Sequence, residues 1–537
     1  MTKNSKYSVI GVLCKENLLG TLSYLLFLVL LGSLYWLRNS EFSLDDSFIT
    51  YRYAYHLKEG YGFVFNVGEP YYGTTAAGYA VVLAGISTVF SSIENLFTIA
   101  TNAALIIPAI SVALSTLALF VIAALLPIIA NSSGSLLRWL IPVIGAIFLF
   151  CSNTFNAVAG HETYPFLSLS LLGTVLIGYF RAYLAGGFFL TMAAMIRPDA
   201  ILLLGIAPTI DWFNSEMSIR SYLKNRNVLG YILICTVLGL VWFSYLIYCF
   251  GTIIPGTMAA KKAQAVLGYW PCYTPETLLN YLLNPTSYSG IFIAFVGLVS
   301  FAGGIRKKIE QNAVDGPENF VAVTWLTFGI LSMCAYFSFN VTFQIWYGVP
   351  IVFFIFIVAI VGWSKFIRWV ESENRWDKPG ITRHQILITL IFSLVFILLE
   401  WEDVPNVKKW VTTSNLNPHI SAYSEIVEYI RKDSPEGATI QIAEPGSVGY
   451  HLGPKFKMVD ELGLISPGVA QALIRGDFFW ALNKWHPKYL VWGWDGRFCV
   501  CFNNPQIGGY ERIGEFNRVF WWHRYKRGAI LYRLKNL

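Results

Sequence analysis

The chain reads as a polytopic α-helical membrane protein of about 11 transmembrane helices with a C-terminal extracytoplasmic α/β unit. Three observations carry that reading. Apolar residues make up 55% of 537 residues, charged residues only 13%, and the mean hydropathy is +0.52, more apolar length than a soluble core can use. Charges recur in short basic clusters between long apolar runs. After Trp401 the long apolar runs stop, which divides the chain into a membrane unit, 1–401, and a soluble unit, 402–537. Aromatics at 16%, with 18 Trp, suit the belts formed where helices cross the interface. The net charge of +7 follows from basic loops, and no dense basic stretch interleaves with exposed aromatics, so no nucleic-acid partner is expected.

Lys3, Lys6 and Lys15 precede the first apolar run, Leu18 to Trp36, which is long enough to span and has no small-residue cleavage site after it. The positive-inside rule then puts the N-terminus in the cytoplasm and the first large loop, 38–95, outside. Within that loop, Ala76 to Phe90 is short for a crossing and is expected to lie against the membrane. Leu96 to Ala130 supplies the second crossing, Leu140 to Cys151 the third and Pro165 to Phe180 the fourth. Ala185 to Trp212 is interrupted by Arg197-Pro198-Asp199, which predicts a hairpin of two short helices because Pro ends the first arm. Val228 to Phe250 is the seventh crossing, and a second outer segment then reaches to about Ser289. The eighth ends at Arg306, the ninth is Val321 to Phe339, the tenth Val349 to Trp363 and the eleventh Ile386 to Trp401. Multi-pass residence in the cytoplasmic (inner) membrane follows, with the tail outside.

In the tail, Ser421 to Arg431 has helical spacing, and Thr439 to Ala443, Lys457 to Val459, Tyr489 to Trp492 and Ala529 to Leu534 read as strands. Glu444-Pro445-Gly446-Ser447-Val448-Gly449 lacks both nucleotide-binding glycine fingerprints and is read as a strand-to-helix turn. Cys499 and Cys501, two apart on a strand, point to one face but diverge, so no mutual disulfide is expected; no zinc spacing or redox pair is present.

The stretch richest in chemistry is Leu44 to Gly73. Asp45 and Asp46 stand where the chain has just left the membrane, and a half-desolvated carboxylate with a like-charged neighbour suits a general base. Phe48, Tyr51, Tyr55 and Leu57 then recur at helical spacing with Arg52, His56 and Lys58 between them, as in a helix lying along the interface. The competing reading is an acidic helix cap on an ordinary loop.

Six motifs in order resemble one family. Asp45-Asp46 with Tyr51-Arg52-Tyr53-Ala54 and Gly62-Phe63-Val64-Phe65-Asn66-Val67-Gly68-Glu69 is similar to the first-loop signature of the mycobacterial terminal arabinofuranosyltransferases and their bacterial relatives, within the GT-C superfamily of membrane glycosyltransferases. Gly160-His161-Glu162-Thr163 resembles that group's Gly-Met-Glu-Thr, and Ile196-Arg197-Pro198-Asp199 its Thr-Arg-Pro-Glu. Ile254-Pro255-Gly256-Thr257-Met258-Ala259-Ala260-Lys261 resembles Leu-Pro-Asn-Thr-Tyr-Tyr-Ala-Lys. In the tail, Gly446-Ser447-Val448-Gly449-Tyr450 and Asp460-Glu461-Leu462-Gly463-Leu464 are similar to Gly-Ala-Ile-Gly-Tyr and Asp-Leu-Leu-Gly-Leu. His161, Asp199 and Gly256 depart from the group, so the donor sugar does not carry over.

The resemblance implies a GT-C-type membrane fold and transfer of a sugar from a polyprenyl-phosphate carrier, with inversion, to a glycan, lipid or protein acceptor at the outer face. Asp45 or Asp46 would be the base, with Asp45 favoured because the family's acid is usually the first of such a pair. Arg52, Arg197, Lys261 and Lys262 are candidates for the donor phosphate, although Arg197 also has an ion-pair partner in Asp199 and the lysines also suit interfacial anchors. Tyr53, Tyr72, His161, Glu162, Asp199, Trp346 and Tyr347 are candidates for the sugar or the acceptor, against helix-end caps and belt aromatics. No cofactor is expected, and the sequence leaves a divalent metal open. The rival classes are a transporter of a lipid or glycan intermediate, which calls for charges at the midplane and an inverted repeat, and a sensor, which needs no acid pair.

Overall fold

A computed structural model describes residues 18–39, 44–97, 103–131, 136–268, 271–282, 316–372, 418–492, 509–519 and 526–535. Among them, six helices are long and apolar enough to cross a membrane: Leu18–Asn39, Ile106–Ile129, Thr163–Phe180, Arg226–Phe250, Pro317–Phe339 and Ile345–Lys365. At 1.5 Å per residue, helices of this size cover the roughly 30 Å of a hydrocarbon layer. Arg226–Phe250 leaves Leu233, Leu240, Val241 and Ile247 uncovered by protein, the surface a bilayer would meet. Gly251, in the left-handed region at φ 71°, ends this helix, and its N–H closes on the Ile247 carbonyl.

Other expected crossings take different forms. Leu136–Cys151 is a shorter helix. The run 185–212 folds as the expected hairpin, Tyr183–Ile196 and Ile201–Asn214, around extended Arg197 and a single 3-10 turn, Pro198–Ala200. Pro198 cannot continue the first arm and holds the preceding residue out of the helical region. The eighth and eleventh expected crossings, together with Cys499 and Cys501, lie outside the described residues.

The helix Ala77–Phe97 buries one side, at Ala77, Tyr79, Ala80, Leu83 and Ala84, with Gly78 against the backbone of Met195, and leaves Val82, Val89 and Phe90 exposed, an apolar face of the kind a helix lying against a membrane presents. One expectation changes: Asp45–Lys58 is buried all round from Ser47 to Ala54, so it is a core helix and not an interfacial one. Several of its buried polar side chains are bonded, although the Ser47 hydroxyl and His56 Nε2 have no hydrogen-bond partner among the described residues. The Tyr51 hydroxyl donates to the Gly160 carbonyl at 2.6 Å, and Thr50 pairs with Thr74 at 3.2 Å.

The C-terminal region forms a small mixed sheet in the order β2-β1-β3-β5-β4. Its strands are β1 Thr439–Ile442, β2 Lys457–Asp460, β3 Tyr489–Trp492, β4 Tyr510–Val519 and β5 Lys526–Leu534. β1 pairs parallel with β2 and β3, while β5 runs antiparallel to β3 and β4. β4 escapes the sequence reading because it is an edge strand, charged at Glu511, Arg512, Glu515 and Arg518, with a register shift between Arg512 and Gly514. The helix Pro418–Asp433 precedes β1, and Pro445–Leu452 follows it as the expected strand-to-helix connection.

This sheet region docks on two segments, the one that follows the first helix and the one that follows Arg226–Phe250. Pro445–Leu452 packs along Asp45–Lys58, and the short helix Val469–Ile474 along Thr257–Val266. The Asn66 amide exchanges two hydrogen bonds with the Met458 backbone, at 2.8 and 2.9 Å, as an extra strand residue would. Glu69 forms an ion pair with Lys457.

Candidate active site

The two acids at the start of Asp45–Lys58 are given different work by their neighbours. Asp45 turns to the C-terminal region, where its carboxylate accepts the backbone N–H groups of Gly446 (3.0 Å) and Ser447 (2.7 Å). It thus serves as the cap of Pro445–Leu452, whose own preceding residue, Glu444, makes no side-chain cap. Burial, with Glu444 and Asp46 nearby, pushes the Asp45 carboxyl up to about 8 against the pull of the two N–H groups.

Asp46 stays open. Its side chain keeps 31% exposure and lies 3.9 Å from the Lys261 ammonium. Burial of its surroundings raises its proton affinity above the usual carboxylate range; Lys261 draws it down and Glu444 pushes it up.

Lys261 is carried by the helix Thr257–Val266, with its side chain 10% exposed and its ammonium 5.4 Å from the centre of the Trp346 ring. The approach of this helix depends on Gly256, whose N–H donates to the Tyr72 carbonyl at 2.8 Å and where a Cβ would overlap the Tyr71 hydroxyl. That contact gives a physical reason for glycine where the resembling group has asparagine. Lys262, one position on, points to the exposed face and is not part of the cluster.

Trp346 and Tyr347 sit in the first turn of Ile345–Ser372. The Trp346 ring lies 5.6 Å from that of His161, whose Nδ1 is 3.0 Å from Glu162 and 2.8 Å from the Thr163 hydroxyl. Burial and the Arg197 charge hold His161 neutral. Burial pushes Glu162 up to about 7 against the pull of Arg197, with Asp199 and Asp46 adding to the rise.

Arg197 leaves its helix in extended conformation, and its guanidinium donates to Asp199 (2.7 Å), the Thr163 hydroxyl (3.3 Å) and the Trp346 carbonyl (3.2 Å). Glu162 stands 3.9 Å away. Asp199 also accepts the Tyr336 hydroxyl at 2.6 Å, and the Tyr336 ring lies 4.8 Å from that of Tyr347. The ion pair with Asp199 is therefore formed, and Arg197 fixes the backbone under Trp346 in place of an open phosphate site.

Three other expected site residues are structural. Arg52 is buried and donates to the carbonyls of Phe65 (2.8 Å), Gly449 and Phe456 (2.7 Å), with its guanidinium 4.8 Å from the Phe65 ring. It ties the first loop to the C-terminal region, its N–H groups directed at carbonyls and not at a site for phosphate. The Tyr53 hydroxyl bridges the Tyr71 carbonyl (2.5 Å) and the Gly73 N–H (2.9 Å). Tyr72 stacks flat on Phe250 with centroids 4.6 Å apart. These contacts engage the Tyr53 hydroxyl and one face of the Tyr72 ring, and both residues are buried.

The sequence reading missed Glu444 and Tyr336. Glu444 sits in a turn motif and Tyr336 in an apolar helix, and nothing local connects either to a residue across the chain. Among the described residues no group of three His, Cys, Asp or Glu side chains is placed to hold a metal ion. The site is thus an open carboxylate and an ammonium at an aromatic rim of Trp346 and Tyr347, backed by a buried charged network around Arg197. No protein-family model and no curated protein matches this chain.

Proposed function

We propose that the chain is an inverting glycosyltransferase of GT-C type that moves a sugar from a polyprenyl-phosphate carrier to a glycan, lipid or envelope protein acceptor at the outer face of the membrane. On this reading the chain crosses the membrane about eleven times and its C-terminal domain is extracytoplasmic, as the basic loops imply. The observation that carries it is the Asp46–Lys261 pair: an accessible carboxylate of raised proton affinity 3.9 Å from a cation, beside an aromatic ring.

In the reaction, the acceptor O–H gives its proton to Asp46 while its oxygen bonds to the anomeric carbon. The bond from that carbon to the phosphate oxygen breaks, and the electron pair leaves on polyprenyl phosphate, whose added negative charge Lys261 balances. Attack and departure lie on opposite sides of the anomeric carbon, so Lys261 swings from Asp46 to the phosphate when donor binds. Since Lys261 lowers the proton affinity of Asp46, its departure makes Asp46 the stronger base at the moment a base is required. Trp346 and Tyr347 offer aromatic faces to a sugar ring, with buried His161 packed behind Trp346 and paired with Glu162.

The test is transfer in isolated membranes, using the lipid-linked donors and acceptors they contain, compared between cells with the chain, without it and with Asp46→Asn. Loss of one glycan product in the last two supports the reading. Normal product with Asp46→Asn overturns it.

A further inference from the structure

The C-terminal region touches both halves of the Asp46–Lys261 pair. On the acid side, Pro445–Leu452 gives its first N–H groups to Asp45, and Gly446 lies so close that a Cβ would overlap the Asp45 carbonyl. Three residues on, Gly449 faces Arg52, where a Cβ would lie 2.8 Å from the guanidinium that binds the Gly449 and Phe456 carbonyls. On the lysine side, Val469–Ile474 packs along the helix that carries Lys261. The loop before it is shaped by buried Asp460, which accepts the N–H groups of Leu462 (2.8 Å), Leu464 and Ile465 (3.2 Å). That loop presses on Gly73, where a Cβ would lie 2.9 Å from the Leu464 carbonyl.

Resting on the reading of Asp46 as base, we propose that the C-terminal region is a working part of the active site: its docking sets the Asp46–Lys261 separation, and Asp45 is a positioning residue held by the N–H groups of Gly446 and Ser447. Glu444 arrives with the same helix and adds a negative charge beside both acids. A region that served only as an appendage would have no need to reach both helices of the pair. A displacement of about 1 Å at a reacting group costs on the order of 10²-fold in rate, so small changes in docking are expected to register in turnover.

The experiment uses the full chain in isolated membranes with their own lipid-linked donors and acceptors, normalised to folded protein. Gly446→Ala is expected to lower transfer by about tenfold or more. It is also expected to move the acidic limb of the pH–rate profile to lower pH, because Asp46 loses both burial and the Glu444 charge. Asp45→Asn is expected to lower transfer less than Asp46→Asn and to shift the limb in the same direction. Lys432→Ala, on the exposed side of Pro418–Asp433, is expected to change neither. If Gly446→Ala does not accumulate, Asn66→Ala, which loses both bonds to Met458, provides the undocking variant. Transfer within twofold of the parent and an unmoved limb in the undocking variant overturn the proposal. If Asp46→Asn is inactive in that same experiment, the glycosyltransferase reading stands without it; if Asp46→Asn is active, both fall.

Discussion

At the scale of single residues, the acid pair divides by what each carboxylate touches. Asp46→Asn keeps size but cannot take a proton, so transfer is expected to fall by about 10²–10⁴-fold while donor retention persists. Lys261→Gln is expected to raise the donor requirement by about 2–5 kcal/mol of lost binding, and Lys262→Gln, on the exposed face, to leave it unchanged; donor titration of the two variants checks this. The pH dependence has two opposite signs. Transfer needs ionised Asp46, so it rises with pH through a limb displaced above the usual carboxylate range. Stability runs the other way at Asp45. Its folded value of about 8 lies above its unfolded one, so its contribution is fully present below the unfolded value and is lost as pH rises towards 8. Thermal unfolding measured across that window should show the decline.

At the scale of elements, the hairpin 183–214 depends on a buried charge network rather than on helix propensity. Removing Arg197 leaves Asp199 and Glu162 without their cation, which is expected to destabilise by about 3–5 kcal/mol. Arg197→Gln should therefore lower the melting temperature as well as transfer, and the double variant with Asp199→Asn should be less destabilised than the two effects summed. A stable Arg197→Gln that fails only in donor use would return Arg197 to the phosphate site. Gly256→Ala sets a Cβ on the Tyr71 hydroxyl, and the forced shift is expected to cost about 1–3 kcal/mol and to weaken donor use through Lys261. The pairing of Arg181 with buried Asp211, which also accepts the Tyr183 (2.6 Å) and Tyr222 (2.9 Å) hydroxyls, closes the opposite end of the same hairpin.

At the scale of the whole molecule, the proposed reaction requires Asp46, Lys261 and the C-terminal region on the side where the carrier presents its sugar. A reporter fused at Trp401 or at the C-terminus is expected to be active only outside, and one fused near Ser372 only inside. The reverse pattern would put the acid pair on the wrong side of the membrane for an external donor. Of the two docking contacts, the one on Asp45–Lys58 joins segments some four hundred residues apart, as in the 401-residue separation of Asp45 and Gly446, and the other joins Val469–Ile474 to Thr257–Val266. Closing so large a loop is unfavourable until many contacts form together, so docking of the C-terminal region is expected to be a late and cooperative step.

What the sequence determined by itself is what local pattern can encode. Apolar runs of bilayer length marked helices, the Arg197-Pro198-Asp199 interruption marked the hairpin, and β-branched and aromatic runs marked four of the five strands. The resemblance also drew attention to segments that do meet: Asp46, His161-Glu162, Arg197 and Lys261 share one site. The roles within those segments were decided only by tertiary contact. Arg52 is a phosphate candidate by residue type and place in the first loop, but its three carbonyl partners include two in the C-terminal region. The resemblance favours Asp45, the first acid of the pair, as base, whereas Asp45 is held by the N–H groups of Gly446 and Ser447 and it is Asp46 that faces Lys261, a division set by where Pro445–Leu452 docks. Gly446 reads locally as a turn glycine, while its need for close approach appears only once the helix it packs against is in place. A carboxylate's proton affinity is set by burial and by the charges around it, and those are properties of the assembled fold.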